Sequence, residues 1–198
     1  LLNGAMMGEK GVYVSFQEDP NQLRQIALNF GFDLSRLESE GLVDMFYTSP
    51  VELTIDEHAL RIIQAVKEIG ARRVVVDAIS DLRAGAYGED RYFNYAYSLV
   101  QFFKDHHITA LLTNELVELF GRIVLSGAGL SYIADNVILL RYVEHDSRIK
   151  RAITVLKARG STHCDEVREF KITPDGVQVG EPFSLPYAPL TGRFITQT

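Results

Sequence analysis

The class of fold is decided by a short stretch of sequence, Arg73–Asp77 (RVVVD). It is a continuous apolar run that ends in a carboxylate, which is typical of a strand buried on both faces of a parallel sheet. Before it, Ile55–Ile69 has the apolar spacing of an amphipathic helix, and Gly70 ends that helix. After it, residues 92–106 predict a second helix. A strand between two such helices predicts an α/β fold with a parallel sheet.

The rest of the chain predicts that this α/β core is followed by an antiparallel β extension. Further helices are predicted at 20–30, where Asp19 is the N-cap, and at 34–40. Strands alternate with helices as far as residue 113, and hairpins follow residue 136. The predicted strands besides Arg73–Asp77 are 11–16, 42–47, 108–113, 137–143, 151–159, 166–172 and 177–179. We expect one domain over residues 1–180 and an extended tail over 181–198.

The composition suits a single intracellular domain and excludes several classes of protein. The chain has 198 residues, of which 46% are hydrophobic and 23% are charged, and its formal net charge is −6. Cys164 is the only cysteine, which excludes an intramolecular disulfide framework and favours a cytoplasmic location. No apolar run approaches the roughly 18–20 residues that span a bilayer. The acidic balance argues against bulk electrostatic binding of nucleic acids.

Polar side chains follow three of the predicted parallel strands, at the edge where ligands bind in sheets of this class. Asp77 is placed to hold a Mg²⁺ bound to nucleotide phosphates, unless it only caps the next helix. Gln17 and Glu18 follow another strand, where a side chain could orient or deprotonate the water that attacks a γ-phosphate. The alternative there is helix capping in a solvated acidic turn. Residues 113–115 (TNE) end the third strand.

A basic stretch, residues 151–163 (RAITVLKARGSTH), is the candidate for contacts with phosphates. From the period of two of a strand, we expect one face to carry Arg151, Ile153, Val155, Lys157 and Arg159. Lys157 and Arg159 would then lie about 7 Å apart, which suits two contacts along a triphosphate. The alternative is a solvated edge strand whose basic residues guard it against aggregation.

The sequence lacks the phosphate-binding loop of P-loop nucleotide-binding domains. That loop has the pattern G-x-x-x-x-G-K-[ST], and its backbone N–H groups line the phosphates. The chain contains no Gly-Lys pair, and residues 8–11 (GEKG) have the wrong spacing. Because the chain begins as if inside a helix, we expect that a segment upstream of Leu1 is missing. The alternative is a natural loss of the loop, as in a pseudo-ATPase.

Six segments together resemble the KaiC-like branch of the RecA-type ATPases, and they occur in the family's order. They are 13–20 (YVSFQEDP), 29–34 (NFGFDL), 74–82 (VVVDAISDL), 135–144 (DNVILLRYVE), 157–163 (KARGSTH) and 168–173 (REFKIT). The resemblance implies a RecA-like three-layer core with a mostly parallel sheet and a C-terminal antiparallel extension. It also implies a hexameric ring that binds ATP and Mg²⁺ between subunits.

The resemblance further implies roles for individual residues, by position. Asp77 matches the Mg²⁺-associated aspartate of the Walker B strand, and Phe30 lies at a position near the adenine or ribose. The segment that reaches the neighbouring subunit's nucleotide is matched by Arg151, Lys157, Ala158, Arg159, Ser161 and His163. Within it, Lys157 and Arg159 would lie nearest to the γ-phosphate.

The chain departs from the family where relatives carry paired glutamates, the first of them a general base. Here the pair is Gln17 and Glu18, and an amide can orient water but cannot accept its proton near pH 7. We therefore expect that Glu18 takes over or that hydrolysis is slow. Phosphorylated Ser and Thr of clock members of the family correspond to Ser131 and Tyr132, which we expect to be ordinary loop residues.

The residues and the resemblance together imply an ATPase with a regulatory or signalling role, which binds ATP and hydrolyses it slowly. The expected partners are other copies of the chain and regulatory proteins, and neither DNA nor a membrane is expected. One alternative is a non-catalytic oligomerisation module, which Gln17 and the absent loop favour. The other is a DNA-acting recombinase relative, which the net charge of −6 disfavours.

Overall fold

The computed structural model describes residues 1–49, 54–115, 130–145, 147–183, 187–188 and 193–194. The chain divides into two compact units, Leu1–Glu115 and Leu116–Thr198. In the described residues, the first unit contains a four-stranded parallel sheet and the second a four-stranded antiparallel sheet. The α/β class, the parallel sheet and the antiparallel extension expected from the sequence are therefore confirmed. Among the helices that the structure describes, none combines the length and apolar character needed to cross a bilayer.

The first unit alternates strands with helices, as the sequence predicts. Its strands pair in the order β2-β1-β3-β4 and are β1 (Gly11–Ser15), β2 (Val43–Tyr47), β3 (Arg73–Asp77) and β4 (Thr109–Leu112). Its helices are α1 (Leu2–Met6), α2 (Pro20–Asn29), α3 (Leu34–Ser39), α4 (Ile55–Ile69) and α5 (Glu89–Asp105), with a 3₁₀ helix at Ile79–Gly85. Every pairing in this sheet is parallel. The strands therefore end at one edge, the carboxyl edge, formed by Ser15, Tyr47, Asp77, Leu112 and the residues that follow each.

The two central strands, β1 and β3, are buried because their residues are mostly apolar. Val12 and Val14 in β1 are fully buried, as are Val74 and Val76 in β3. Val75, which points to the opposite face of the sheet from its neighbours, is buried as well. Burial on both faces explains why β3 reads as an unbroken apolar run rather than an alternating one.

Helix α4 begins and ends at signals that are local in the sequence. The backbone N–H of Thr54 donates to the carboxylate of Glu57 (2.9 Å), and the Thr54 hydroxyl accepts from the Glu57 N–H, which forms a capping box. These bonds from Thr54 hold the pKa of Glu57 below its ordinary value. At the other end Gly70 has φ of 70°, a left-handed conformation that glycine adopts without steric cost. The helix buries Ile62 and Val66 on the face that packs inward.

The second unit is an antiparallel meander. It comprises α6 (Leu130–Ile133), β5 (Asn136–His145), β6 (Arg148–Ala158), β7 (Arg168–Thr173) and β8 (Gly176–Pro182), with the strands paired in chain order. A turn joins β7 to β8, and Gly176 has φ of 105° there. Two short strands, β9 (Tyr187–Ala188) and β10 (Arg193–Phe194), pair with each other. The division of the chain at residue 180 stays a prediction.

A bulge in β6 corrects the prediction that the basic stretch presents one face. Val137 of β5 pairs with Lys157, but the next residue, Ile138, pairs with Val155, so Leu156 is an extra residue in β6. Consecutive residues of β5 point to opposite faces, and Lys157 and Val155 therefore do so too. The expectation that Arg151, Ile153, Val155, Lys157 and Arg159 share a face is wrong. Period-two alternation fails because the bulge changes the register of β6 after Val155.

The bulge separates the basic residues into two environments. Arg151 lies on the exposed face, where its guanidinium carbon is 5.8 Å from the centre of the Tyr142 ring. Lys157 lies on the opposite face, which also carries the buried side chains of Ala152 and Thr154. Arg151 and Lys157 therefore do not act together on one side of the sheet.

The buried hydroxyl of Tyr92 is an uncompensated polar group in the first unit. Tyr92 lies in the first turn of α5 and is fully buried, with the guanidinium carbon of Arg83 4.7 Å from its ring centre. None of the described residues forms a hydrogen bond with its hydroxyl. Burial raises the pKa of Tyr92 to about 12.

We expect Tyr92→Phe to raise the free energy of unfolding by about 1 kcal/mol, because an unsatisfied buried hydroxyl is removed. This gain should grow as the pH rises from about 10 to about 12, because the unfolded chain ionises Tyr92 near 10 while the folded chain keeps it protonated. Urea unfolding at neutral and alkaline pH measures both effects. Tyr97→Phe, at a side chain that is 47% exposed, is the control. The same change in both variants would contradict the prediction.

Candidate functional site

The carboxyl edge brings the two acidic strand ends of the sequence together. Ser15 pairs with Asp77 in the register of β1 and β3, and the N–H of Phe16 donates to the Asp77 carbonyl (3.2 Å). On the other side of β3, the N–H of Thr113 donates to the carbonyl of Val76 (3.1 Å). The turn that begins at Gln17 and the end of β4 therefore flank Asp77 at one edge of the sheet. This is the arrangement that parallel strands were expected to give.

Both carboxylate oxygens of Asp77 are held by hydroxyl groups from neighbouring strands. The Tyr13 hydroxyl donates to Oδ2 (2.6 Å), and the Thr113 hydroxyl donates to Oδ1 (2.5 Å). The pKa of Tyr13 is raised by burial first, and then by this bond and by the charges of Asp77 and Glu18. The peptide bond from Asp77 to Ala78 is cis. The two hydroxyl bonds from neighbouring strands fix the orientation of the Asp77 carboxylate.

Asp77 does not cap the 3₁₀ helix that follows it. The N–H of its N-cap residue, Ala78, points toward the carboxylate of Asp81 at 3.5 Å, whereas the Asp77 carboxylate accepts hydrogen bonds from Tyr13 and Thr113. The capping alternative does apply to Asp19, whose carboxylate accepts from the N–H of Asn21 (2.8 Å) at the start of α2.

Gln17 and Glu18 are held in different ways. The Gln17 side chain is exposed, and its Nε2 donates to both carboxylate oxygens of Asp81, at 3.2 and 3.1 Å. Glu18 is fixed through its backbone, because its N–H donates to the Ser15 hydroxyl (3.1 Å) and its carbonyl accepts from that hydroxyl (2.8 Å). Ser15 is fully buried, so this turn is anchored at the end of β1. The described contacts leave the Glu18 carboxylate without an assigned partner at the site.

Sequence reasoning missed Asp81 and Tyr13. Asp81 lies inside the segment 74–82 that carries the family resemblance, but only the first carboxylate of that segment was singled out. Tyr13 lies in the middle of β1, where an aromatic residue is expected for its β propensity alone. Only the parallel register reveals that Tyr13 reaches across to Asp77.

In the second unit, Lys157 and Arg159 bind carbonyl oxygens around the end of α6. The Lys157 Nζ donates to the carbonyls of Ser131 (2.9 Å) and Ala134 (2.7 Å). The Arg159 Nη2 donates to the carbonyl of Tyr132 (3.2 Å), and its Nη1 lies 3.5 Å from the Asp135 carboxylate. Carbonyls at a helix end lack partners within the helix, and cations nearby satisfy them. Within one chain, both cations therefore stabilise this short helix.

The remaining predicted site residues lie at the end of α2, at the end of β6 and in the segment that follows β6. Phe30 is the C-cap residue of α2 and is 36% exposed. Ala158 is the last residue of β6, and Ser161 and His163 are exposed between β6 and β7. Their roles toward a nucleotide stay predictions, as do those of Arg151, Lys157 and Arg159.

The donor set at the carboxyl edge fits a hard divalent cation held partly through water. Among the described residues, no three side chains of His, Cys, Asp or Glu form a cluster that could bind a metal ion by itself. Asp77 instead offers one carboxylate, whose roughly four lone-pair sites exceed the two hydroxyl bonds it accepts. Mg²⁺ commonly keeps several waters and uses one or two carboxylates beside nucleotide phosphates. The residues present are compatible with that mode.

The comparisons with known proteins agree on one family. A family model described as "ATPase: KaiC" matches residues 1–184. The chain is similar to the circadian clock protein KaiC3 of Synechocystis sp., with 34% identity over 181 residues. It is also similar to the circadian clock oscillator proteins KaiC of Nostoc sp. and Thermosynechococcus vestitus, each with 29% identity over 183 residues. These matches cover 91–92% of this chain but 35% of each relative, so the chain spans about a third of the length of the curated relatives it matches.

The bond from Tyr13 to Asp77 gives a prediction for stability. We expect Tyr13→Phe to lower the free energy of unfolding by about 1.5–3 kcal/mol, because the Asp77 carboxylate loses a hydrogen bond from a neighbouring strand. Chemical denaturation followed by circular dichroism measures the change. Tyr87→Phe is the matched control, since Tyr87 is 86% exposed. Equal stabilities of the two variants would show that the Tyr13 hydroxyl does not support the carboxylate.

Proposed function

The chain belongs to the KaiC family of ATPases, and we propose that it forms part of a site that binds ATP at the carboxyl edge and hydrolyses it slowly. The observation that supports this proposal is the position of Asp77. Its carboxylate is fixed by Tyr13 and Thr113 at the edge where α/β sheets bind ligands, beside the turn that carries Gln17 and Glu18. The proposal is made for the complete natural protein that carries this domain.

Asp77 is proposed to hold Mg²⁺ through the lone pairs that Tyr13 and Thr113 do not use. The ion would offset the negative charge of the nucleotide phosphates when bound. Because two hydroxyls donate to Asp77, the carboxylate keeps its orientation, and no rearrangement is needed when the cation arrives.

Gln17 and Glu18 are proposed to orient the attacking water and to accept its proton. In the hydrolysis, the water oxygen bonds to the γ-phosphorus, the bond from that phosphorus to the leaving oxygen of ADP breaks, and a water proton moves to a carboxylate. The Gln17 amide cannot take this proton near pH 7, and so Glu18 is the proposed acceptor. An acceptor one residue away from the family's usual position accounts for slow turnover.

Lys157 and Arg159 are proposed to contact the nucleotide held by a neighbouring copy, in a homo-oligomeric ring that we propose to be hexameric. Among the described residues, the bonds of these two side chains to α6 use only some of their N–H donors. Within the part of the chain that the structure describes, Lys157 uses two of its three N–H donors, and Arg159 uses at most two of its five. Ala158, Ser161 and His163 would line the same approach, Arg151 would reach the nucleotide from the other face of β6, and Phe30 would contact the adenine or ribose.

The physiological role is proposed to be regulatory or signalling, in keeping with the circadian clock names of the relatives. The proposal includes other copies of the chain as partners, and regulatory proteins beside them. The amide at Gln17 favours a second candidate, a non-catalytic module that keeps the fold and assembles without hydrolysis. Native mass spectrometry of the complete protein separates the two. Assembly that depends on ATP supports the enzyme, and assembly without nucleotide binding supports the module.

The role of Asp77 is tested by Asp77→Asn in the complete protein. We expect Mg²⁺-dependent ATP hydrolysis to fall at least about tenfold, because the metal loses an anionic ligand. Asp44→Asn is the control, at an exposed residue of β2 in the same sheet. Circular dichroism confirms that each variant is folded. Hydrolysis by Asp77→Asn at the wild-type rate would remove Asp77 from the site.

The contribution of a neighbouring copy is tested by mixing variants. We expect Lys157→Ala to reduce hydrolysis strongly, and Lys150→Ala, whose partner is Glu169 in the same sheet, to have little effect. If the site is shared, exchanging subunits between Asp77→Asn and Lys157→Ala rings restores intact sites at about a quarter of random interfaces. No recovery after exchange, despite mixed rings in native mass spectrometry, would mean that Lys157 acts within its own subunit or not at all.

A further inference from the structure

Gln17 and Asp81 form a polar pair at the carboxyl edge that no recognised role explains. The Nε2 of Gln17 lies 3.2 and 3.1 Å from the two carboxylate oxygens of Asp81. The N–H of Ala78 also approaches the Asp81 carboxylate, at 3.5 Å, which is long for a hydrogen bond. The amide of Gln17 is therefore the main partner of the Asp81 carboxylate among the described contacts.

The carboxylate determines which way the Gln17 amide faces. An ionised Asp81 can only accept hydrogen bonds, so it selects the NH₂ group of Gln17 and excludes the carbonyl oxygen. With Nε2 held on Asp81, the Oε1 of Gln17 is directed away from that carboxylate. A freely rotating amide would offer either group, whereas this one offers an acceptor consistently.

We propose that Asp81 is a positioning residue for the hydrolytic water. By binding the NH₂ group of Gln17, it leaves Oε1 to accept a hydrogen bond from the water, which directs the water's lone pair toward the γ-phosphorus. The inference rests on the proposed ATPase function and deepens it. Asp81 acts through Gln17, and it does not touch the water itself.

The same pair explains why an amide occupies position 17. A glutamate there would place a second carboxylate about 3 Å from Asp81, where two like charges cannot both stay ionised without a large cost. Gln17 removes that repulsion and turns the contact into a charge-assisted hydrogen bond. The Gln17 amide is thus a suitable hydrogen-bond donor for Asp81, and its presence does not by itself indicate a catalytically inactive site.

The test uses the complete natural protein with the variants Asp81→Ala, Gln17→Glu and the double variant Gln17→Glu/Asp81→Asn. We expect Asp81→Ala to lower kcat about tenfold with little change in KM for ATP, because the water is affected and nucleotide binding is not. We expect Gln17→Glu alone to lower the melting temperature. The double variant should restore the melting temperature, and its kcat should equal or exceed that of wild type, because an Asn amide now donates to a Glu carboxylate. Asp44→Asn is again the control.

The outcomes separate this inference from the function on which it rests. If wild type does not hydrolyse ATP, the proposed function fails and the inference fails with it. If wild type hydrolyses ATP but Asp81→Ala keeps the wild-type kcat, or raises only KM, the positioning role alone is overturned. A double variant that regains stability but not kcat would likewise leave the pair with a purely structural role and overturn the inference.

Discussion

The parallel pairing of β1 with β3 sets the geometry on which the candidate site depends. It places Ser15 beside Asp77, so the turn that follows β1 and the carboxylate that ends β3 meet at one edge. It also places Tyr13 close enough to donate to Asp77 from the neighbouring strand. A shift of one residue in this register would turn every side chain of β1 to the other face and break the contact. The buried valines of both strands resist such a shift, because their apolar surface would have to be rearranged.

The carboxylates of Asp77 and Asp81 lie at the carboxyl edge and accept hydrogen bonds from uncharged donors. Asp77 receives two hydroxyl bonds, and Asp81 receives the amide of Gln17. None of these donors carries a positive charge, so the carboxylates are oriented without being neutralised. Orientation without neutralisation suits an edge that would meet a cation, since a Lys or Arg in the same place would compete with the metal. The hydrogen-bond pattern and the proposed magnesium chemistry therefore agree.

The sequence predicted the elements whose signals lie within or next to one segment. It did not predict the contacts that depend on which strands pair and in which register. The strand Arg73–Asp77 and the helix Ile55–Ile69 have the predicted bounds, because the apolar run lies within the strand, and Gly70 and the capping box that starts at Thr54 stand at the two ends of the helix. The contact of Tyr13 with Asp77 spans 64 positions of the chain and depends on which strands are neighbours. The bond from Gln17 to Asp81 spans the same distance and depends on where two turns meet. Neither could be read from spacing or residue type alone.

The bulge at Leu156 shows how one extra residue redirects the basic charge of β6. Without it, Lys157 would follow Val155 onto the exposed face and could not reach the carbonyls of Ser131 and Ala134. The sequence does not reveal the bulge, because Leu156 is apolar like Ala152 and Ala158, and the alternation with Val155 and Lys157 continues past it in the sequence. A bulge changes the direction in which a side chain points, and it locally disrupts the hydrogen bonds between the two strands. Here that disruption is offset by two charge-assisted bonds to the end of α6, and this explains why Lys157 is turned inward while Arg151 remains on the exposed face.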